Sequence, residues 1–142
     1  MTVAAVIEAD GRYLMVEEMA EGSRVFNQPA GHLEPGERLV DAVVREVLEE
    51  TGVHFVPQHL IGLYRWVNPR NGETHLRVAF TGQVNGRDPA RTLDHPIIAP
   101  HWLSYDELVD RRERLRSPLV MGCIDDHLRG RSYPLELLRD FE

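Results

Sequence analysis

Cysteine is nearly absent from this 142-residue chain: Cys123 stands alone, so no disulfide can form within it. That fits a reducing compartment, and a cytoplasmic location is expected. Cys123 lies in the apolar stretch Leu119 to Leu128 and reads as a small buried side chain. Long apolar runs are missing too. Val3 to Ile7 is too short and too weakly flanked for a signal peptide, and nothing approaches membrane-spanning length. Positive charge is scarce: 16 Lys and Arg stand against 23 Asp and Glu, a net charge of −7. A nucleic-acid polymer wants a basic face, so that class of partner is excluded. A small polyanionic ligand is not, because a bound cation inverts the local sign. The 7 histidines show no zinc-ligand spacing, and His54 and His59 read as surface or loop residues. Repeats, low-complexity tracts and linkers are absent.

What is present suits one compact domain over residues 1–142, with 42% hydrophobic residues to build a core. Val3 to Glu8 and Tyr13 to Val16 read as strands around Asp10-Gly11, a hairpin signal. A loop from Glu18 to Arg24 leads to a short strand at Val25-Phe26. Gln58 to Val67 and Thr74 to Val84 read as strands joined by a turn at Asn71-Gly72. Asn85 to Pro100 reads as loop, and His101 to Leu103 as a short strand. Ser104 and Glu107 form a capping-box pattern for a helix over Tyr105 to Arg112. Pro118 to Arg129 reads as a further helix stopped by Gly130. Strands on either side of one central helix, with helical material near the end, predict a mixed sheet covered by helices.

That central helix lies in Gly31 to Val53, GHLEPGERLVDAVVREVLEETGV. Pro35-Gly36 is turn chemistry. No Pro or Gly interrupts Leu39 to Thr51, and Gly52 is placed to end a helix. At about 100° per residue, Glu46, Glu49 and Glu50 share one face. Val40, Val43, Val44 and Val47 share the other. Clustered carboxylates repel and raise one another's pKa values. A hard divalent cation removes that penalty, since Mg²⁺ favours carboxylate oxygens, water and phosphate. Arg45 can pair with Glu49 at i+4, and Glu37 in the incoming loop can orient the cluster.

Gly31, Glu37, Arg45, Glu46, Glu49, Glu50 and Gly52, with apolar Val47 and Val53, match every fixed position of the pattern G-x5-E-x7-R-E-U-x-E-E-x-G-U. At ~7% usage per residue type, such a match arises by chance in a chain this short on the order of once in a million. The segment resembles the signature of the Nudix hydrolases. The resemblance implies an α/β/α sandwich, an α+β fold with a mixed, partly antiparallel sheet and a catalytic loop-helix-loop at its edge. It implies Mg²⁺, with Mn²⁺ as a substitute, held by Glu46, Glu49, Glu50 and the Gly31 carbonyl. It also implies hydrolysis of a phosphoanhydride by in-line attack of an activated water. Glu50 or Glu46 is the expected proton acceptor, Glu50 ahead, with Glu49, Arg45 and Glu37 completing the catalytic set.

Further stretches are similar to one branch of the family, bacterial phosphatases. These are Val16 to Glu18, Phe26 to His32, Gln58-His59, Arg116 to Val120, Arg131 to Glu136 and Asp140-Phe141. That similarity implies release of orthophosphate from nucleoside tri- and diphosphates and from hydroxymethylpyrimidine pyrophosphate. Both substrates carry a diphosphate on a planar, nitrogen-rich ring. Phe26, Tyr64 and Trp66 are candidates to stack that ring, although packing in the core competes as a role for Phe26 and Trp66. Asn27 and Gln28 are candidate readers of it. Arg77 and Arg65 are candidate phosphate clamps. Arg12 and Arg24 are weaker ones. Alternation along a strand forbids Arg65 and Trp66 from entering one cleft together. Many family members carry another acid about six residues before a tryptophan like Trp102. Pro96 stands there, with Asp94 the nearest acid. Two other functions fit the pattern: a housecleaning pyrophosphohydrolase for oxidised nucleotides or ADP-ribose, and a nucleotide-sensing module without turnover.

Overall fold

The computed structural model describes residues 1–88, 92–93 and 97–142. Nine strands, three α-helices and two 3₁₀ turns make up these residues. In chain order they are β1 (Thr2–Val6), β2 (Glu8–Ala9), β3 (Arg12–Ala20), β4 (Ser23–Asn27), β5 (Ala30–His32) and α1 (Leu39–Thr51). Then follow β6 (Val53–Val67), β7 (Thr74–Arg87), β8 (Ile97–Ser104), α2 (Tyr105–Asp110), α3 (Pro118–Leu128) and β9 (Tyr133–Pro134). The 3₁₀ turns are Arg112–Arg114 and Leu135–Leu137.

The expected mixed sheet runs β5-β1-β7-β6-β9, with β1 and β7 parallel and the other pairs antiparallel. Beside it lies an antiparallel sheet in which β3 pairs with β2, β4 and β8. Strand alternation sends side chains to two cores. Val3, Ala5, Val78 and Phe80 pack with Ala42, Val43 and Val47 of α1. Val6, Ile61 and Ala79 pack with Leu108 of α2 and Val120, Cys123 and Ile124 of α3. Helices therefore cover both faces. Each fully buried aliphatic side chain contributes about 1.5–3 kcal/mol. No helix among the described residues is long and apolar enough to cross a membrane.

α1 has the predicted bounds, and Gly52 caps it in the left-handed region. The Ser104–Glu107 capping box is formed in both directions. The segment expected as a loop from Glu18 to Arg24 is instead a hairpin, with Glu21 and Gly22 both at positive φ. Glutamate carries no turn signal, so the hairpin rests on Gly22 and on strand pairing. β6 and β8 are longer than expected because they run through Pro57 and Pro100. Pro57 is accommodated at a register shift against β7. The helix expected over Tyr105 to Arg112 ends at Asp110, before the Arg112–Arg114 turn. Asp94 and Pro96 lie outside the described residues.

Candidate active site

α1 enters from an extended Arg38 with no side-chain cap. The preceding loop is tied by Glu37, whose carboxylate accepts from the Glu34 amide at 3.1 Å. Arg45 is the hub of this end of the helix. Its Nε donates to Glu37 at 2.6 Å, and its Nη2 donates to Glu37 at 3.0 Å and to the His32 carbonyl at 3.1 Å. Its Nη1 reaches Glu46 at 2.9 Å, Glu49 at 3.0 Å and Glu34 at 3.5 Å. Glu37, above all, holds the guanidinium fully charged. The same hydrogen bond pulls the Glu37 carboxyl below its usual range.

Two glutamates one turn apart pack against β5. Glu50 accepts from the Ala30 amide at 2.9 Å. Glu46 lies against Gly31, where a β-carbon would overlap its carboxylate. Burial pushes Glu50 up to about 9, and the charges of Glu46, Glu18 and Glu49 push the same way against the Ala30 N–H. Burial also raises Glu46, opposed by Arg45 and assisted by Glu49 and Glu37.

Among the described residues, no three Asp, Glu, His or Cys side chains converge as a metal cage. Arg45 stands between Glu46 and Glu49 and draws both toward itself. The donor chemistry nonetheless fits a hard cation. Glu46 and Glu50 are buried carboxyls whose negative charge is held at a cost. A divalent ion removes that cost where a proton otherwise does.

The candidate ring and phosphate contacts fall into separate settings. Arg77 is 6% exposed; its Nη1 donates to Gln28 at 2.9 Å and its Nη2 to Asn27 at 3.3 Å. Among the described residues its Nε finds no acceptor. Gln28 also donates to the Val120 carbonyl at 2.7 Å, so both ends of its amide are engaged. Gln28 and Arg77 thus form a buried tie between β7 and α3. Phe26 is buried in the core beneath α2 and α3, with Arg114 5.0 Å and Arg111 5.9 Å from its ring centre. Trp66 is half-buried, its ring centre 5.4 Å from that of His75. In register, Tyr64 lies opposite Arg77 and Trp66 opposite His75, which places all four on one sheet face. Tyr64 donates to Asp126 at 2.8 Å. Arg65 is exposed on the opposite face. Arg12 and Arg24 pair loosely with Glu107 and Glu17.

Glu18 is the residue whose place at the site sequence reasoning missed. It is buried on β3, and its Oε1 lies 3.5 Å from the Asn27 amide nitrogen. Burial raises its pKa against the pull of Arg116, Asn27 and Arg77. Alternation carried no signal for it: Tyr13 to Val16 are all apolar and buried on both faces of the strand, so the phase does not set Glu18 apart from Glu17.

Comparison with known proteins identifies what the chain is similar to. The NUDIX domain family model matches residues 1–121. Phosphatase NudJ of Escherichia coli strain K12 is 41% identical over 141 residues, covering 99% of this chain and 91% of that protein. Phosphatase NudJ of Shigella sonnei matches to the same extent. Among solved structures, a NUDIX hydrolase from Nitrosomonas europaea superposes with a TM-score of 0.96 at 51% identity, covering 99% of this chain and 95% of that one. A UDP-X diphosphatase shares the fold, with a TM-score of 0.73 at 17% identity over 94% of this chain and 64% of that one.

Proposed function

The chain belongs to the Nudix hydrolase family, and from that premise we propose that it is a Mg²⁺-dependent phosphatase of a single 1–142 domain. It removes orthophosphate from nucleoside tri- and diphosphates and from related ring diphosphates such as hydroxymethylpyrimidine pyrophosphate. The observation that carries the reading is the near full-length similarity to phosphatase NudJ together with an unbroken glutamate set on α1.

Glu46, Glu49 and Glu50, with the Gly31 carbonyl, are the residues that would hold Mg²⁺ or Mn²⁺. The ion supplies charge neutralisation on the phosphates and a more acidic water. Glu50 takes the proton of the attacking water. The Ala30 N–H, donating at 2.9 Å, holds that carboxylate in place for the role. Arg45, pinned by Glu37, keeps Glu49 from swinging away. Asn27 offers a polar group at the ring end, and Trp66 an aromatic face. Phe26, Gln28 and Arg77 shape that end from below, since each is buried.

The test is an incubation of purified protein and Mg²⁺ with nucleoside tri- and diphosphates, ADP-ribose and hydroxymethylpyrimidine pyrophosphate. Orthophosphate and pyrophosphate are measured separately. Orthophosphate from the tri- and diphosphates and the pyrimidine compound supports the proposal. Pyrophosphate, or a nucleoside monophosphate from ADP-ribose, makes the enzyme a housecleaning pyrophosphohydrolase instead. Binding without turnover makes it a sensing module.

A further inference from the structure

Glu18 is a carboxylate with little to bind. It is 9% exposed, yet its described polar neighbours stand far off: the Asn27 amide nitrogen at 3.5 Å and Arg116 Nη1 at 3.8 Å. A carboxylate has about four acceptor positions, and these two long contacts to one oxygen leave room for a further donor. It adjoins the ring end of the site, where Asn27 bridges it to Arg77: that amide accepts from Arg77 while pointing its nitrogen at Glu18.

The surroundings select the missing partner. Arg116 and Arg77 already place positive charge around Glu18, which disfavours a further cation there. A phosphate is repelled by the carboxylate itself. A neutral hydrogen-bond donor meets neither objection. We propose that Glu18 is a specificity-determining residue that accepts a hydrogen bond from the exocyclic amino group of the substrate ring, so that the enzyme prefers aminopyrimidine-type bases over their oxo counterparts. An oxo group presents a lone pair to the carboxylate where an amino group presents a proton. The inference rests on the phosphatase reading of the same site and names the ring class that the site accepts.

CTP and UTP test it, since they differ on the pyrimidine ring only in a 4-amino against a 4-oxo group and its ring nitrogen. Orthophosphate release gives kcat/KM for each, with wild type and with Glu18→Gln, whose amide can donate as well as accept. Wild type should favour CTP by about tenfold or more, the scale of leaving one buried acceptor without its donor. Glu18→Gln should bring the ratio within about threefold. The ratio is internal to each protein, so partial loss of folded enzyme does not distort it. If Glu18→Gln does not fold, ATP against ITP in wild type repeats the amino-to-oxo comparison on a purine, and the same preference is expected. Equal use of CTP and UTP by wild type, or an unchanged ratio in the variant, overturns the inference while leaving the phosphatase reading intact. An equal loss on both nucleotides with a raised Mg²⁺ requirement overturns it in favour of a cation-binding role. No orthophosphate from any nucleotide removes the phosphatase reading and this inference together.

Discussion

The carboxylate of Glu46 fills the space that a β-carbon on residue 31 would need, so Gly31 and Glu46 are shaped to each other. Gly31→Ala should therefore push Glu46 aside while leaving β5 paired with β1. Displacing a ligand by an ångström or so costs about 10²-fold in rate. The expected outcome is a fall in kcat of that order with a small change in melting temperature. Wild-type kcat in a folded Gly31→Ala protein would show that Glu46 does not need this position.

Glu49→Gln and Glu50→Gln should each lower kcat by roughly 10²-fold or more, the scale of a metal-held nucleophile or a positioned base. Steady-state kinetics at saturating Mg²⁺ decides it. Near wild-type turnover in both variants would sink the assignment of the metal site to α1.

Metal and protons should compete at Glu50. Burial pushes its pKa up to about 9, well above the usual carboxylate range. The folded state then holds a proton that the unfolded state has released. The contribution to stability is full below 4.5 and is lost as pH rises toward about 9. In EDTA, stability should fall over that window more steeply for wild type than for Glu50→Gln. The gain in melting temperature from Mg²⁺ should be larger at pH 9 than at pH 6. An equal gain at both values, by differential scanning fluorimetry, would contradict competition at this site.

Gln28 should matter first for folding. Gln28→Leu leaves Arg77 Nη1 without its acceptor in a buried place and removes the tie to the Val120 carbonyl. The expected loss is about 1–3 kcal/mol in urea unfolding. A neutral substitution would mean that water replaces the amide, and would free Gln28 for a direct role on the substrate.

Trp66→Ala separates stacking from packing. Its half-exposed ring beside His75 is placed to stack a base. A rise in KM with a small drop in melting temperature is expected. A large drop with KM unchanged would make Trp66 a packing residue.

Local chemistry made α1 readable in the chain. An uninterrupted run, a turn before it and Gly52 after it set its bounds, and the spacing of Glu46, Glu49 and Glu50 set their common face. Ser104 with Glu107 and Asn71-Gly72 were legible for the same reason, since each signal acts within a few residues. The hairpin at Glu21-Gly22, the strand through Pro57 and the short β9 were not. Each depends on a distant partner strand that overrides weak local preference.

Read from the chain alone, the family, the helix that carries the carboxylates and the kind of ion they suit were already legible. Those follow from residue identity and helical spacing, which are local. The folded chain was needed to bring Gln28 to Arg77 from 49 residues away. It also brought Glu46 against Gly31, and set Glu18 beside Asn27. Such contacts arise where strands and helices from separate parts of the chain close on one another. Burial then changes what the side chains do, by removing the water that would otherwise satisfy them.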